Sequence, residues 1–164
     1  MQSRAPFAIP ALGCLLLTAA IAAAQVAADP LTIKAIAEVE SRSLAGGREV
    51  VKLIPADRVV PGDQVIYTLE VHNTGAALPA PIVVHPIPEH MRYVADSAVG
   101  PGAEVSYSVD GGQSFDQAQN LRVPGQDGEL RPAVAADYTH IRWRLKNSLK
   151  ANSVAFVRFR ARVE

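Results

Sequence analysis

The stretch Gln64-Val65-Ile66-Tyr67-Thr68-Leu69-Glu70-Val71-His72 decides how this chain folds. Its residues Val65, Tyr67, Leu69 and Val71 recur at every second position. In extended backbone that period sends them to one face and their neighbours to the other, which predicts a half-buried strand. The same period returns near the C-terminus. Ile141, Trp143 and Leu145 alternate with Arg142, Arg144 and Lys146, and Ala155, Val157, Phe159, Ala161 and Val163 alternate with Phe156, Arg158, Arg160 and Arg162. Leu31–Val39 and Val50–Ile54 read as two further strands joined through Ala45-Gly46-Gly47. Ile82–Val84, Met91–Val94 and Val105–Val109 are shorter candidates.

Turn chemistry separates these segments. Pro61-Gly62-Asp63 suits a type II turn, with proline presetting φ and glycine supplying the positive φ that follows. Asn73-Thr74-Gly75 can close a strand through an Asx-turn, and Asp110-Gly111-Gly112 should turn a hairpin between Val105–Val109 and the segment at Phe115. Gln117–Asp137 is polar and reads as a long loop, the least ordered part expected. Twelve prolines discourage long helices, and no stretch carries an apolar period of 3.6. The expected fold is all-β: an antiparallel two-sheet β-sandwich of about seven to nine strands. Tyr67, Leu69, Val71, Trp143, Leu145, Val157 and Phe159 form its predicted core.

The N-terminus predicts an address. Arg4 precedes an apolar run from Phe7 to Ala24, and small residues close it at Ala22-Ala23-Ala24 and Val26-Ala27-Ala28. That order of charge, apolar core and small residues is expected of a cleaved secretory signal peptide, residues 1–28, ahead of one domain at 29–164. Cleavage after Ala24 also fits; Asp29-Pro30 favours Ala28. Pro10 and the alanine content argue against a retained membrane span. Cys14, the only cysteine, lies inside the apolar run, so the exported chain is expected to lack disulfides and thiolate metal sites. Losing Arg4 leaves 15 basic and 16 acidic residues, a net of −1, which gives no support for nucleic-acid binding.

A family resemblance rests on several of these motifs taken in order. They are Pro61-Gly62-Asp63, Tyr67 and Val71-His72-Asn73-Thr74-Gly75, followed by Val83-Val84-His85-Pro86-Ile87-Pro88-Glu89-His90-Met91-Arg92-Tyr93. Ser97, Ser108-Val109-Asp110-Gly111-Gly112, Ile141-Arg142-Trp143-Arg144-Leu145 and the closing Val157–Val163 continue the series. Together they resemble a bacterial conserved-repeat domain family, domain of unknown function eleven, over residues 30–164. The resemblance implies an immunoglobulin-like sandwich on exported or cell-surface proteins and no catalytic residues. Relatives occur in tandem arrays and often carry Pro-Gly before the last strand. This chain has one copy, with Lys150-Ala151-Asn152-Ser153 at that turn, which implies a free-standing module.

Ser108–Phe115 looks like an Asp-box, a hairpin motif that is structural even where it is best known, and one copy gives no active site. His85 and His90 flank a proline-rich turn beside Glu89, but their spacing is not a helical pair, so loop packing is expected and no metal or other cofactor. No Gly-x-Ser-x-Gly elbow is present and the acids are scattered, so no enzyme is expected. From Ile141 to Val163 there are seven basic residues and no acid. If 141–145 and 154–163 pair as a hairpin, Arg142, Arg144, Arg158, Arg160 and Arg162 share one outward face. Either acids such as Glu38, Glu40 or Glu70 interleave with them, or the face meets an anionic partner.

The sequence therefore predicts an exported, non-enzymatic binding or structural module of a bacterial cell envelope, periplasmic or at the surface. Its expected partner is another envelope or surface protein. A carbohydrate- or polyanion-binding domain using the basic face is the alternative.

Overall fold

The computed structural model describes residues 30–164. The expected signal peptide and Cys14 lie outside the described residues. Among those residues ten strands form three antiparallel sheets, with 3-10 turns at Ala118–Asn120 and Ala135–Asp137. The strands are β1 (Leu31–Ala45), β2 (Arg48–Pro55), β3 (Gln64–Asn73), β4 (Ile82–Pro86) and β5 (Met91–Tyr93). They continue as β6 (Ala103–Ser108), β7 (Arg122–Pro124), β8 (Leu130–Pro132), β9 (His140–Leu145) and β10 (Ser153–Val163). The large sheet runs β2-β1-β3-β10-β5, the small one β4-β9-β6, and β7 pairs with β8.

The period of two explains both layers. In β3, Leu69 stands opposite Ala35 and Val157, and Tyr67 opposite Ala37 and Phe159, so these residues line one face. Ile141, Trp143 and Leu145 do the same for the small sheet, with Val83, Val105 and Tyr107 beside them. The two apolar faces meet in one core, where Trp143 and Phe159, both fully buried, bring their rings to 6.1 Å. Each side chain buried this way contributes about 1.5–3 kcal/mol, so the core carries the fold. All seven predicted core residues belong to it, Tyr67 at its margin.

The turns behave as their chemistry requires. Gly62 has φ of 96°, and the Asp63 N–H donates to the Val60 carbonyl at 3.0 Å, closing a type II turn. The Gly75 N–H donates to Asn73 Oδ1 at 3.0 Å in the expected Asx-turn.

Two expectations are corrected. First, β9 and β10 do not pair: β9 lies between β4 and β6, and β10 between β3 and β5. The connecting residues 146–152 cross the end of the core. Leu149 is buried there and exchanges backbone hydrogen bonds of 2.9 Å with Leu78 in both directions. The two apolar faces therefore oppose each other through the core and do not lie side by side. Second, residues 117–137 are structured. β7 and β8 close a small hairpin, Leu121 is buried, and Arg131 grips the Asp137 carboxylate with two bonds of 2.7 Å.

Candidate functional site

The crossing between sheets splits the predicted arginine face. Arg142 and Arg144 lie on the outer surface of the small sheet. Arg142 donates to Ser106 Oγ at 2.9 Å and stacks over the Phe115 ring at 4.7 Å, so its charge is already engaged. Arg158, Arg160 and Arg162 lie on the outer surface of the large sheet. Arg160 pairs with Glu40 at 2.9 Å, and this contact holds the Glu40 carboxyl below its ordinary pKa. Of the acids expected to interleave, Glu40 does so. Glu70 instead faces Lys34 at 3.6 Å and His72 at 3.5 Å. Arg158 donates to Thr68 Oγ1 at 3.0 Å. Arg162 stands opposite Arg92, whose charge Glu164 takes up at 2.6 Å. Among the described residues Arg158 and Arg162 have no carboxylate within ion-pair distance.

A second surface was not foreseen. β1 runs past the expected end at Val39 to Ala45, leaves β3 at Glu38, and pairs with β2 alone from there. The result is a two-stranded arm over residues 38–55. Its tip is Gly46-Gly47, with φ of 58° and 77°, the paired positive values of a two-residue hairpin turn that only glycine adopts without strain. Leu44, Val51 and Leu53 share one surface of the arm and are 80%, 50% and 40% exposed. Arg42 sits among them, 3.4 Å from Glu40 and 3.3 Å from Glu49; exposed pairs of this kind add little stability. An open notch of about 290 Å³ lies at the base of the arm, lined by Val39, Glu40, Arg42, Asp63, Gln64 and Arg160. The diglycine was the available sequence signal. The length of the arm was hidden because the apolar alternation fades after Val39.

The remaining candidates are structural. In the Asp-box-like turn the Asp110 carboxylate accepts from Ser114 Oγ at 2.5 Å, Ser108 Oγ at 2.7 Å, and the Gln113 and Ser114 N–H groups at 3.0 Å. The Ser114 hydrogen bonds, then those of Ser108 and Gln113, hold this carboxyl far below the usual range. The expected hairpin forms, with Tyr107 and Asp116 exchanging bonds of 2.9 and 3.1 Å. Tyr107 meets Tyr93 hydroxyl to hydroxyl at 3.0 Å and stacks on Tyr138 at 4.5 Å. Burial pushes the Tyr107 phenol well above its ordinary pKa, so it stays neutral and acts as a buried tie. His85 is half-buried 5.7 Å from the Phe159 ring, and that burial lowers its pKa. Among the described residues no three histidines or acids converge as metal ligands do.

The lowered carboxyls of Asp110, Asp116 and Asp137 predict acid sensitivity. A carboxyl whose folded pKa is depressed stabilises fully above its unfolded value of about 3.9 and loses that contribution as pH falls below it. Thermal midpoints should be flat from neutrality to mild acid and drop below about pH 4. Asp110→Asn should shallow that drop; an acid limb identical to wild type would remove Asp110 from the account.

No family model matches the chain, and no curated protein or solved structure matches it.

Proposed function

We propose that this chain is an exported immunoglobulin-like module of a bacterial cell envelope that works by protein–protein contact and not by catalysis. The observation that carries the reading is the arm. It spends a hairpin of the chain on a projection outside the core and places Leu44, Val51 and Leu53 in solvent. A fold gains nothing from apolar side chains held there, whereas a contact surface does. The signal-like N-terminus supports export. The motifs that resemble the conserved-repeat family support the sandwich reading, since they fall in order on its strands and turns.

The test is site-specific photocrosslinking in living cells, with the crosslinker at Leu44 or Leu53 and a control at Leu130, which is 70% exposed and remote from the arm in sequence. Discrete adducts to an envelope protein from the arm positions alone are expected. Equal labelling from all three positions, or none, would sink the proposal.

A second reading has its own observation. Arg158 and Arg162, unmatched by carboxylates, suit a carbohydrate or polyanion on the outer face of β10. Its signature is retention on an anionic polymer that fades as salt rises.

A further inference from the structure

We infer that the groove between β10 and residues 99–101 binds a small monocarboxylate with an aromatic or short aliphatic body. The acid group sits on Arg158, and the body lies against Phe156, Val99 and Pro101. None of these residues belongs to the arm, so the inference does not rest on the contact reading.

Alternation puts Phe156 and Arg158 on the outer face of β10, and each is half or more a neighbour of solvent. Thr68 stands opposite Arg158 on β3, and Val99 bridges it on the other side. With Pro101 these side chains line an open cavity of about 220 Å³. Its outer wall is fixed. Val99 and Arg158 exchange backbone bonds of 2.8 Å in both directions, and the Ala103 N–H closes a turn on the Gly100 carbonyl at 3.0 Å. A β carbon on Gly100 would lie 2.8 Å from Val157 Cγ1, so the bare glycine lets this segment lie close against the strand. The same bonds exclude a peptide as occupant by strand addition. The N–H and C=O of Arg158 are both committed to Val99, which leaves a main chain nothing to pair with there.

Charge selects the ligand. Arg158 Nε donates to Thr68 Oγ1 at 3.0 Å, which orients the guanidinium and leaves its two terminal nitrogens for an acid. Glu70, opposite Phe156 on β3, is engaged by Lys34 and His72. The other guanidinium groups of this face are answered by carboxylates. Arg160 and Arg42 share Glu40, Arg92 holds Glu164, and Arg162 shares its recess with that same Glu164, which repels an anion. Among the described residues an unmatched guanidinium borders an apolar cavity at Arg158 alone. The paired nitrogens fit the two oxygens of a carboxylate. One cation matches one negative charge, whereas a phosphate monoester brings about −1.5 to −2. The cavity falls below the roughly 300–1,000 Å³ of sites for drug-sized ligands, so its occupant carries one ring or a short chain.

The test is an NMR titration of the full chain with 3-phenylpropionate, read at the backbone amides of Thr68, Val99, Phe156 and Arg158. Saturable shifts at these four positions are expected. 3-Phenylpropionamide has the same shape without the charge and should bind about fivefold more weakly or worse. Arg158→Gln and Phe156→Ala should each weaken the acid by a similar factor at an unchanged melting temperature, and Arg162→Gln should leave it unchanged. The acid–amide comparison is made on the wild-type chain, so it decides even where a variant fails to fold. No saturable shift at the four amides, equal binding of acid and amide, or full binding by a folded Arg158→Gln variant would each overturn the inference. Saturation by a peptide ending in phenylalanine but not by the free acid would overturn it in favour of a protein terminus. Retention on an anionic polymer without these shifts would overturn it and leave the polyanion reading intact.

Discussion

Trp143→Ala is expected to cost about 3–5 kcal/mol, a large part of the roughly 5–15 kcal/mol that holds a domain together. The side chain is fully buried at the centre of the small sheet, with Val83 opposite on β4 and Val105 opposite on β6. Across the core it meets Phe159. A β carbon placed on Gly100 would lie only 3.4 Å from its Cδ1, so backbone closes in on the ring and has little freedom to collapse into a void. The indole complicates the ledger usefully. Its N–H is buried with no protein acceptor, and an unpaired buried donor costs about 1–3 kcal/mol. Trp143→Phe removes that orphan along with part of the ring, and the two effects oppose. The phenylalanine variant should therefore lose less than about 2 kcal/mol. Urea unfolding followed by circular dichroism measures both, since Trp143 is the only tryptophan and fluorescence goes with it. An alanine variant within about 1 kcal/mol of wild type would refute the inward register of β9.

The same residue shows how far the sequence could be read. Alternation assigned Trp143 and Phe159 to a core because a period of two is a local property of extended backbone. Alternation says nothing about which strand lies alongside. Two neighbouring strands with matched apolar faces satisfy the pattern equally as a hairpin in one sheet or as facing strands in two. Leu149 decided between them. It is one apolar residue in a polar connection, buried against Leu78 by contacts that are distant in sequence. The arginine face failed with the hairpin it depended on, which left Arg142 on Phe115 and Arg160 on Glu40. The order in 117–137 was hidden for a similar reason. It rests on the Arg131–Asp137 fork and on Leu121 reaching the core, and neither has a periodic signature. The arm was half legible: its diglycine tip could be read, but its projection depends on β3 ceasing to pair with β1 at Glu38.

Asn73→Ala is expected to cost about 3 kcal/mol. The sequence marked Asn73 as a turn residue, but its amide does more than close the turn. It is 1% exposed, and its Nδ2 donates to the carbonyls of Ala76 at 2.8 Å, Lys150 at 3.0 Å and Leu149 at 3.1 Å, while Oδ1 accepts from Gly75. One side chain thus ties the end of β3 to the connection that carries the chain from one sheet to the other. The cost is bounded because two of these carbonyls have second donors, Leu149 from the Leu78 N–H and Lys150 from Ser153 Oγ. Alanine strands chiefly the Ala76 carbonyl and the Gly75 N–H. Asn73→Asp separates tying from turning. A carboxylate can still accept from Gly75, but it has no proton to donate and faces three carbonyl oxygens in a buried site. Those surroundings raise its folded pKa, so the variant should be at least as unstable as alanine above that pKa and should recover as pH falls through it toward the unfolded value of about 3.9. Equilibrium unfolding at neutral and mildly acid pH measures this. An aspartate variant as stable as wild type at neutrality would show that the Asx-turn alone matters and that the three donated bonds do not hold the crossing in place.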